Sequence, residues 1–385
     1  MSIAKIDRMQ FFFIIPNLLF GKAIGVTSGV MARKLGADTW LSMTIGFGIG
    51  ILIMIMMIYL CSKFPEKTIV EFSKDLLGKW VGRGIGLLLA LFFIMAYGAS
   101  SDTMMLHLQQ YFLPETPFLA ICILYTFLCM YGVFLGIEVV ARFSLVGFIM
   151  SVLISIAMVI GTTEDVKPIN LLPLMDRGFL SDISGSIYIF GDISMAILAV
   201  GFLYPMLNKK KKVFRLTFWS MVMGAFLVIL WPLYETMVLG PDLMKQYVVV
   251  CMQQIRCAQL TKYLPRYELI MVSFFVFEMF VQSAAMFFCA KYCFKQITGI
   301  KKDWILILPL TVVLIIVAYY MSVDHNKYID FLSFPYSQIC AIMSIGLPIV
   351  LLLAALFRGK LKKRKQTSVW KSCCTIDDNT VIEEE

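Results

Sequence analysis

Long apolar runs alternate with short polar segments along almost the whole chain. About twenty apolar residues cross a bilayer as a helix. The pattern predicts ten such crossings, near Met9–Gly29, Trp40–Cys61, Gly84–Leu108, Pro117–Ile137, Phe143–Ile160, Ile183–Tyr204, Leu216–Leu239, Leu269–Cys289, Trp304–Met321 and Tyr336–Phe357. The fold class is therefore all-α and polytopic. A transporter-like membrane domain is expected over residues 1–360, with halves near 9–160 and 183–357, and a polar, disordered tail over 361–385.

The first and sixth runs are interrupted near their middles, at Asn17–Gly29 and Ser184–Ser194, which are corresponding places in the two halves. Lipid offers no hydrogen-bond partner to an unwound backbone, so broken helices persist only where they line a protected cavity. A matched pair of breaks points to a small-solute site near the bilayer midplane. Five crossings per half is an odd number, so the halves can be related as an inverted repeat. Of the two longest outer connections, Gly161–Asp182 and Gly240–Glu268, the second holds a helix-like stretch, Asp242–Tyr263, ended by Pro265. It reads equally as a cap over an outer vestibule and as an ordinary loop helix.

Composition agrees: 60% of residues are hydrophobic and 15% charged, too few charges for the surface of a soluble domain. Charge also sets orientation. Of the 34 Lys and Arg residues, 24 fall on the loops that share a side with the N-terminus and 9 on the other loops, with Lys22 alone inside a span. That bias predicts cytoplasmic N- and C-termini, and it accounts for the net charge of +9 without nucleic acid, because basic loops face an anionic leaflet. No cleavable signal peptide is visible.

Ionisable groups at membrane depth are costly unless paired or hydrated. Lys22, Asp192 and Glu278 fall near mid-span. Lys22 needs a carboxylate partner; Glu278 is the expected one and Asp192 the competitor. Asp192 suits two roles, capping freed backbone N–H groups or binding a ligand ammonium, while the N–H groups of the first break suit a carboxylate. Asp102 and Glu235 lie nearer the outer ends of their helices and are expected to snorkel to water. Glu138 and Arg142, four residues apart, are expected to pair locally. The ten cysteines are scattered. Cys251 and Cys257 share an outer loop but are not expected to be bridged, and Cys373 and Cys374 read as tail thiols more readily than as acylation sites.

Enzyme chemistry finds no support. The chain has no P-loop, no dinucleotide fingerprint and no HExxH motif, and His107 and His325 are not clustered, so no metal or cofactor is expected. Gly82, Gly84 and Gly86 open a membrane helix and read as packing positions.

Phe64–Trp80, Gly136–Phe143, Leu172–Leu174, Pro205–Lys211, Arg266–Leu269 and Phe275–Phe277 together resemble the B subunits of bacterial spore germinant receptors, in order from about residue 5 to 360. That resemblance implies membership of the amino acid-polyamine-organocation transporter superfamily, with ten helices and a five-plus-five inverted repeat in which helices one and six are broken. It further implies a receptor subunit that binds a small germinant, commonly an amino acid, in the inner membrane of the spore, beside A-type and lipoprotein C-type subunits. By matching positions, the ligand-facing residues are Gly21, Gly25, Ala99, Phe190, Gly191 and Phe277, joined here by Lys22, Asp192 and Glu278. Lys22 and Glu278 depart from the family pattern, which has small residues there. The rival readings are an amino-acid or cation-coupled secondary transporter, and a structural partner of another channel subunit.

Overall fold

The computed structural model describes residues 5–21, 25–257, 267–323, 327, 329–331 and 334–358. The expected tail therefore lies outside the described residues, as do Lys22, His325, Cys373 and Cys374. Nine helical stretches among the described residues are long and apolar enough to cross a membrane, and one further apolar helix, Arg8–Phe20, is shorter.

That short helix, α1 (Arg8–Phe20), together with α2 (Thr27–Leu35), makes the first crossing. The second is α3 (Thr39–Lys63), and α4 (Ile69–Leu77) is a surface helix. The third to fifth crossings are α5 (Lys79–Tyr111), α6 (Phe118–Leu135) and α7 (Ile137–Gly161). The sixth is α8 (Phe179–Gly185), a 3-10 turn (Ser186–Ile189) and α9 (Phe190–Leu203); the seventh is α10 (Val213–Leu239). Then come two short helices, α11 (Pro241–Met244) and α12 (Val250–Cys257), before α13 (Tyr267–Thr298) and α14 (Asp303–Val323). The tenth is α15 (Pro335–Ala341), a π turn (Ile342–Gly346) and α16 (Leu347–Phe357).

All ten expected crossings are present, and the sixth is tightened into a 3-10 turn rather than unwound. The outer stretch expected as one helix from Asp242 is instead two, α11 and α12. The carbonyls of Tyr247 and Val248 between them lie 2.6 and 3.1 Å from where a side chain on Gly29 would begin. That close backbone approach to α2 interrupts the helix.

Burial separates core from lipid face. Every residue of α9 is buried, as is Ile14–Phe20 of α1; a helix apolar all round belongs at the centre. Around them pack α5, α7, α10 and α13. The outer helices expose large apolar side chains, Phe134 and Leu124 of α6 and Val312 and Tyr320 of α14 among them.

Two rims enclose this bundle. Ile6 exchanges backbone hydrogen bonds with Met206 and Asn208, Lys5 N–H donates to Glu138, Lys210 pairs with Glu66 at 2.6 Å, and Lys74 donates to the Gln296 carbonyl. The segments that the charge count placed on one side thus meet on one rim. On the other, Met175 and Asp176 N–H groups donate to Asp38, and Arg33 to the Lys245 carbonyl. At the first rim α4 starts with a Thr68–Glu71 capping box and buries Ile69, Val70, Phe72 and Leu76. Gly82 and Gly86 pack where a Cβ would meet Lys74 and Ile297 or Val70, as interface glycines should, whereas Gly84 faces open space.

Candidate functional site

The break in the first crossing begins with Pro16. Proline has no N–H, so the Phe12 carbonyl loses its helical donor, and the Ser220 hydroxyl of α10 donates to that oxygen instead. Asn17 then ties the last turns of α1 to α7, its amide donating to the Phe13 and Ser144 carbonyls at 2.8 Å each. Helix α1 stops at Phe20, which leaves its last carbonyls without intrahelical partners. Gln282 of α13 supplies one donor, its amide reaching the Leu18 carbonyl at 3.2 Å.

Beside this break lies a cavity of about 10 Å³ lined by Gly21, Ala99, Ser100, Thr103, Asp192, Met195, Met279 and Gln282. That is room for about one water. A Cβ on Gly21 would lie 2.1 Å from the Gln282 oxygen, so the side chain of Gln282 closes onto bare backbone. The wall is rich in acceptors: the Gln282 Oε1 has no hydrogen-bond partner among the described residues, and Asp192, 2% exposed, also faces the space.

Of the expected ligand-facing residues, Gly21, Ala99 and Asp192 come together at this cavity. Phe190 and Gly191 are buried in the first turn of α9 and do not line it, and Gly25 is buried just before α2. Lys22 lies outside the described residues, and so does its expected pairing with Glu278.

Phe277 faces elsewhere. It stacks on Phe143 at 5.9 Å and lines an apolar groove with Leu128, Tyr131 and Phe280 on the far side of α13. A helix turns about 100° per residue, so Phe277 and Met279 point to nearly opposite faces. Glu278 is 1% exposed in the seam of α1, α7 and α13, near Ser151, whose hydroxyl donates to the Gly147 carbonyl; it does not line the cavity. Ser100, Thr103, Met195, Met279 and Gln282 were not expected. Gln282 carried a readable signal, a primary amide at mid-span one helical turn from Glu278.

Two other carboxyl groups overturn the snorkelling expectation. Asp102 is 2% exposed and accepts from the Ser322 hydroxyl at 2.6 Å, because the end of α14 covers it. Glu235 is 0% exposed beneath α2 and α12. Glu138 and Arg142 do meet, at 4.0 Å, and Glu138 also accepts from the backbone of Lys5.

Contacts at both rims tie the broken crossings to their neighbours. Toward the rim of Asp38, Lys34 donates to the Tyr188 hydroxyl at 2.5 Å and sits over the rings of Tyr188 and Phe334, joining the first, sixth and tenth crossings. Toward the other rim, the bridge of Ile6 to Leu207 fastens the chain before α1 to the chain after α9.

The family model described as spore germination protein matches residues 5–326. The chain belongs to the spore germination protein family. Within it, the spore germination protein GerQB of Bacillus cereus is 22% identical over 327 residues, covering 84% of this chain and 88% of that protein. The spore germination protein YndE of Bacillus subtilis (strain 168) is 25% identical over 184 residues, 47% of this chain and half of YndE. Among solved structures, MhsT in its complex with L-phenylalanine superposes with a TM-score of 0.58 at 14% identity, over 90% of this chain and 97% of that one. At that identity the likeness carries the fold alone, a transporter-like bundle with interrupted first and sixth crossings. Family and fold together make this an integral membrane protein of the receptor or permease kind.

Proposed function

We propose that this chain is the ligand-sensing subunit of a nutrient germinant receptor, which binds a small germinant, an amino acid by class, at the break of the first crossing and so triggers germination. The observation that carries the reading is the cavity itself, where Gly21 at the break, Ala99, Asp192 and Gln282 converge. Its acceptor-rich wall suits an ammonium group donating to Asp192 and Gln282, and the N–H groups of the break suit the carboxylate. A 10 Å³ space holds no amino acid, so binding requires the flexible Met195, Met279 and Gln282 side chains to move aside. The receptor sits in the inner membrane of the spore with both termini cytoplasmic and works with A-type and lipoprotein C-type subunits.

The test is the nutrient dose response of spores carrying Asp192→Asn or Gln282→Leu, at matched protein level. Each should weaken the response at least tenfold, since a stranded ligand ammonium or a lost charge-assisted bond costs about 1.5–3 kcal/mol. A wild-type dose response at wild-type level rejects the site.

The fold favours one second reading, secondary transport through the same cavity. Proteoliposomes holding this chain alone decide between them: saturable, gradient-driven accumulation of a labelled amino acid supports transport, and ligand binding without accumulation supports sensing.

A further inference from the structure

The lysine run after the sixth crossing divides its work. The Lys209 carbonyl accepts from Arg8 at 3.1 Å, and Lys210 pairs with Glu66. Lys211 and Lys212 instead line a cavity of about 330 Å³ with Arg8, Phe12, Arg215, Leu216 and Trp219. No acidic side chain is among them. Four cations converge on one hollow, and among the described residues nothing of opposite charge lies in its wall.

The hollow is amphiphilic by construction. On α1, Phe12 follows Arg8 by four residues; on α10, Trp219 follows Arg215 by four. Residues four apart share a helix face, so each helix presents a cation at the rim and an aromatic ring one turn deeper. No side chain caps the amino end of α10, which opens at the same level. The aromatic floor does not close. Trp219, Met223 and Phe226, at 53, 40 and 61% exposed, carry it on as an apolar strip along the outward face of α10. A free phosphate would need the cations but no such floor. An acidic peptide would not follow a strip that runs into the hydrocarbon layer.

We infer that this cleft is a binding site for one anionic phospholipid, its phosphate held by Arg8, Lys211, Lys212 and Arg215 and its acyl chain laid over Phe12, Trp219 and Met223. Basic clefts between membrane helices at the headgroup level recognise such lipids, and indole rings favour that depth.

Binding is measured by native mass spectrometry of the full chain in neutral detergent, titrated with phosphatidylglycerol or with phosphatidylcholine of the same acyl chains. Phosphatidylglycerol should bind with defined stoichiometry and the tighter affinity. Each Lys or Arg near an anionic headgroup is worth roughly fivefold. The triple variant Lys211→Gln, Lys212→Gln, Arg215→Gln should therefore lose on the order of 100-fold, and Arg215→Gln alone about fivefold if the triple is not recovered. Lys210→Gln removes the same charge from beside the cleft and should leave affinity within about twofold, as expected of an exposed ion pair. Trp219→Ala should weaken lipid binding with every cation kept. The inference is overturned by equal affinity for the two lipids, by the same loss in Lys210→Gln as in Arg215→Gln, or by millimolar inorganic phosphate displacing the lipid, which would make the cleft a site for a free anion.

Discussion

Ala99 and Phe277 open onto different spaces. Ala99 is 5% exposed and lines the central cavity, whereas Phe277 stacks on Phe143 in a groove on the opposite face of α13. Leucine at 99 would fill a space of 10 Å³ with three further carbons, and overpacking of that kind costs about 1–3 kcal/mol. Ala99→Leu should therefore abolish ligand binding and lower thermal stability, while Phe277→Leu should leave the dose response unchanged; titration of the purified chain with amino acids checks both. The inward face of α13 is set by packing, because apolar residues surround the helix and no polar stripe announces it in the sequence. Met271, Val272, Phe275, Glu278, Met279 and Gln282 are all buried, at spacings of three and four, whereas Ser273 is exposed. That period places Gln282 inside and Phe277 outside. Transfer of family positions, blind to this phase, grouped Phe277 with residues that line a different space. Glu278 illustrates a second limit: its burial followed from its depth, but its separation from the cavity depends on how α7 and α13 are rotated, which no local pattern encodes.

At the scale of elements, the glycines within Asn17–Gly29 marked the first interruption in advance because they act on the backbone itself. What satisfies the freed groups was not legible, since the donors come from residues more than 200 positions away, Ser220 to Phe12 and Gln282 to Leu18. This arrangement is testable by a double-mutant cycle. Ser220→Ala strands the Phe12 carbonyl and should destabilise the chain by about 1–3 kcal/mol. With Pro16→Ala alongside, residue 16 regains an N–H that can serve Phe12 from within the helix, and the cost of losing Ser220 should fall below about 0.5 kcal/mol. Denaturant unfolding in detergent measures all four corners, and additive losses would show that the hydroxyl does not stand in for the missing amide. The π turn of the tenth crossing is held in the same way. Ser194 of α9 donates to the Cys340 carbonyl at 2.8 Å and lies 2.9 Å from the Ser344 hydroxyl, so Ser194→Ala should loosen the sixth crossing from the tenth by about 1 kcal/mol, read as earlier hydrogen exchange at residues 340–344.

For the whole molecule, the distribution of charge carried the most reliable information, because loop segments far apart in sequence had to share a side and the structure brings them to one rim. Which rim faces the cytoplasm is the remaining expectation, and thiol labelling decides it. The native cysteines hardly interfere: Cys61, Cys122, Cys129, Cys251, Cys289, Cys293 and Cys340 are buried, and Cys257 is partly so. In α12, burial and then the nearby Glu235 push the Cys251 thiol well above its ordinary value, and burial and then Asp165 raise Cys257. Since the thiolate is the reactive form, both react slowly at neutral pH, and Cys257→Ser with Cys373→Ser and Cys374→Ser gives a quiet background. Asp176 and Lys209 are exposed on opposite rims. With cytoplasmic termini, Asp176→Cys should be modified by a membrane-impermeant maleimide added to intact cells expressing the chain, and Lys209→Cys only after the membrane is opened. The reverse order would invert the orientation, and with it the leaflet from which the Arg8–Arg215 cleft draws its lipid. Modification of both sites in intact cells would contradict the ten-crossing fold, because these two segments are separated by a single passage of the chain, α8 through α9.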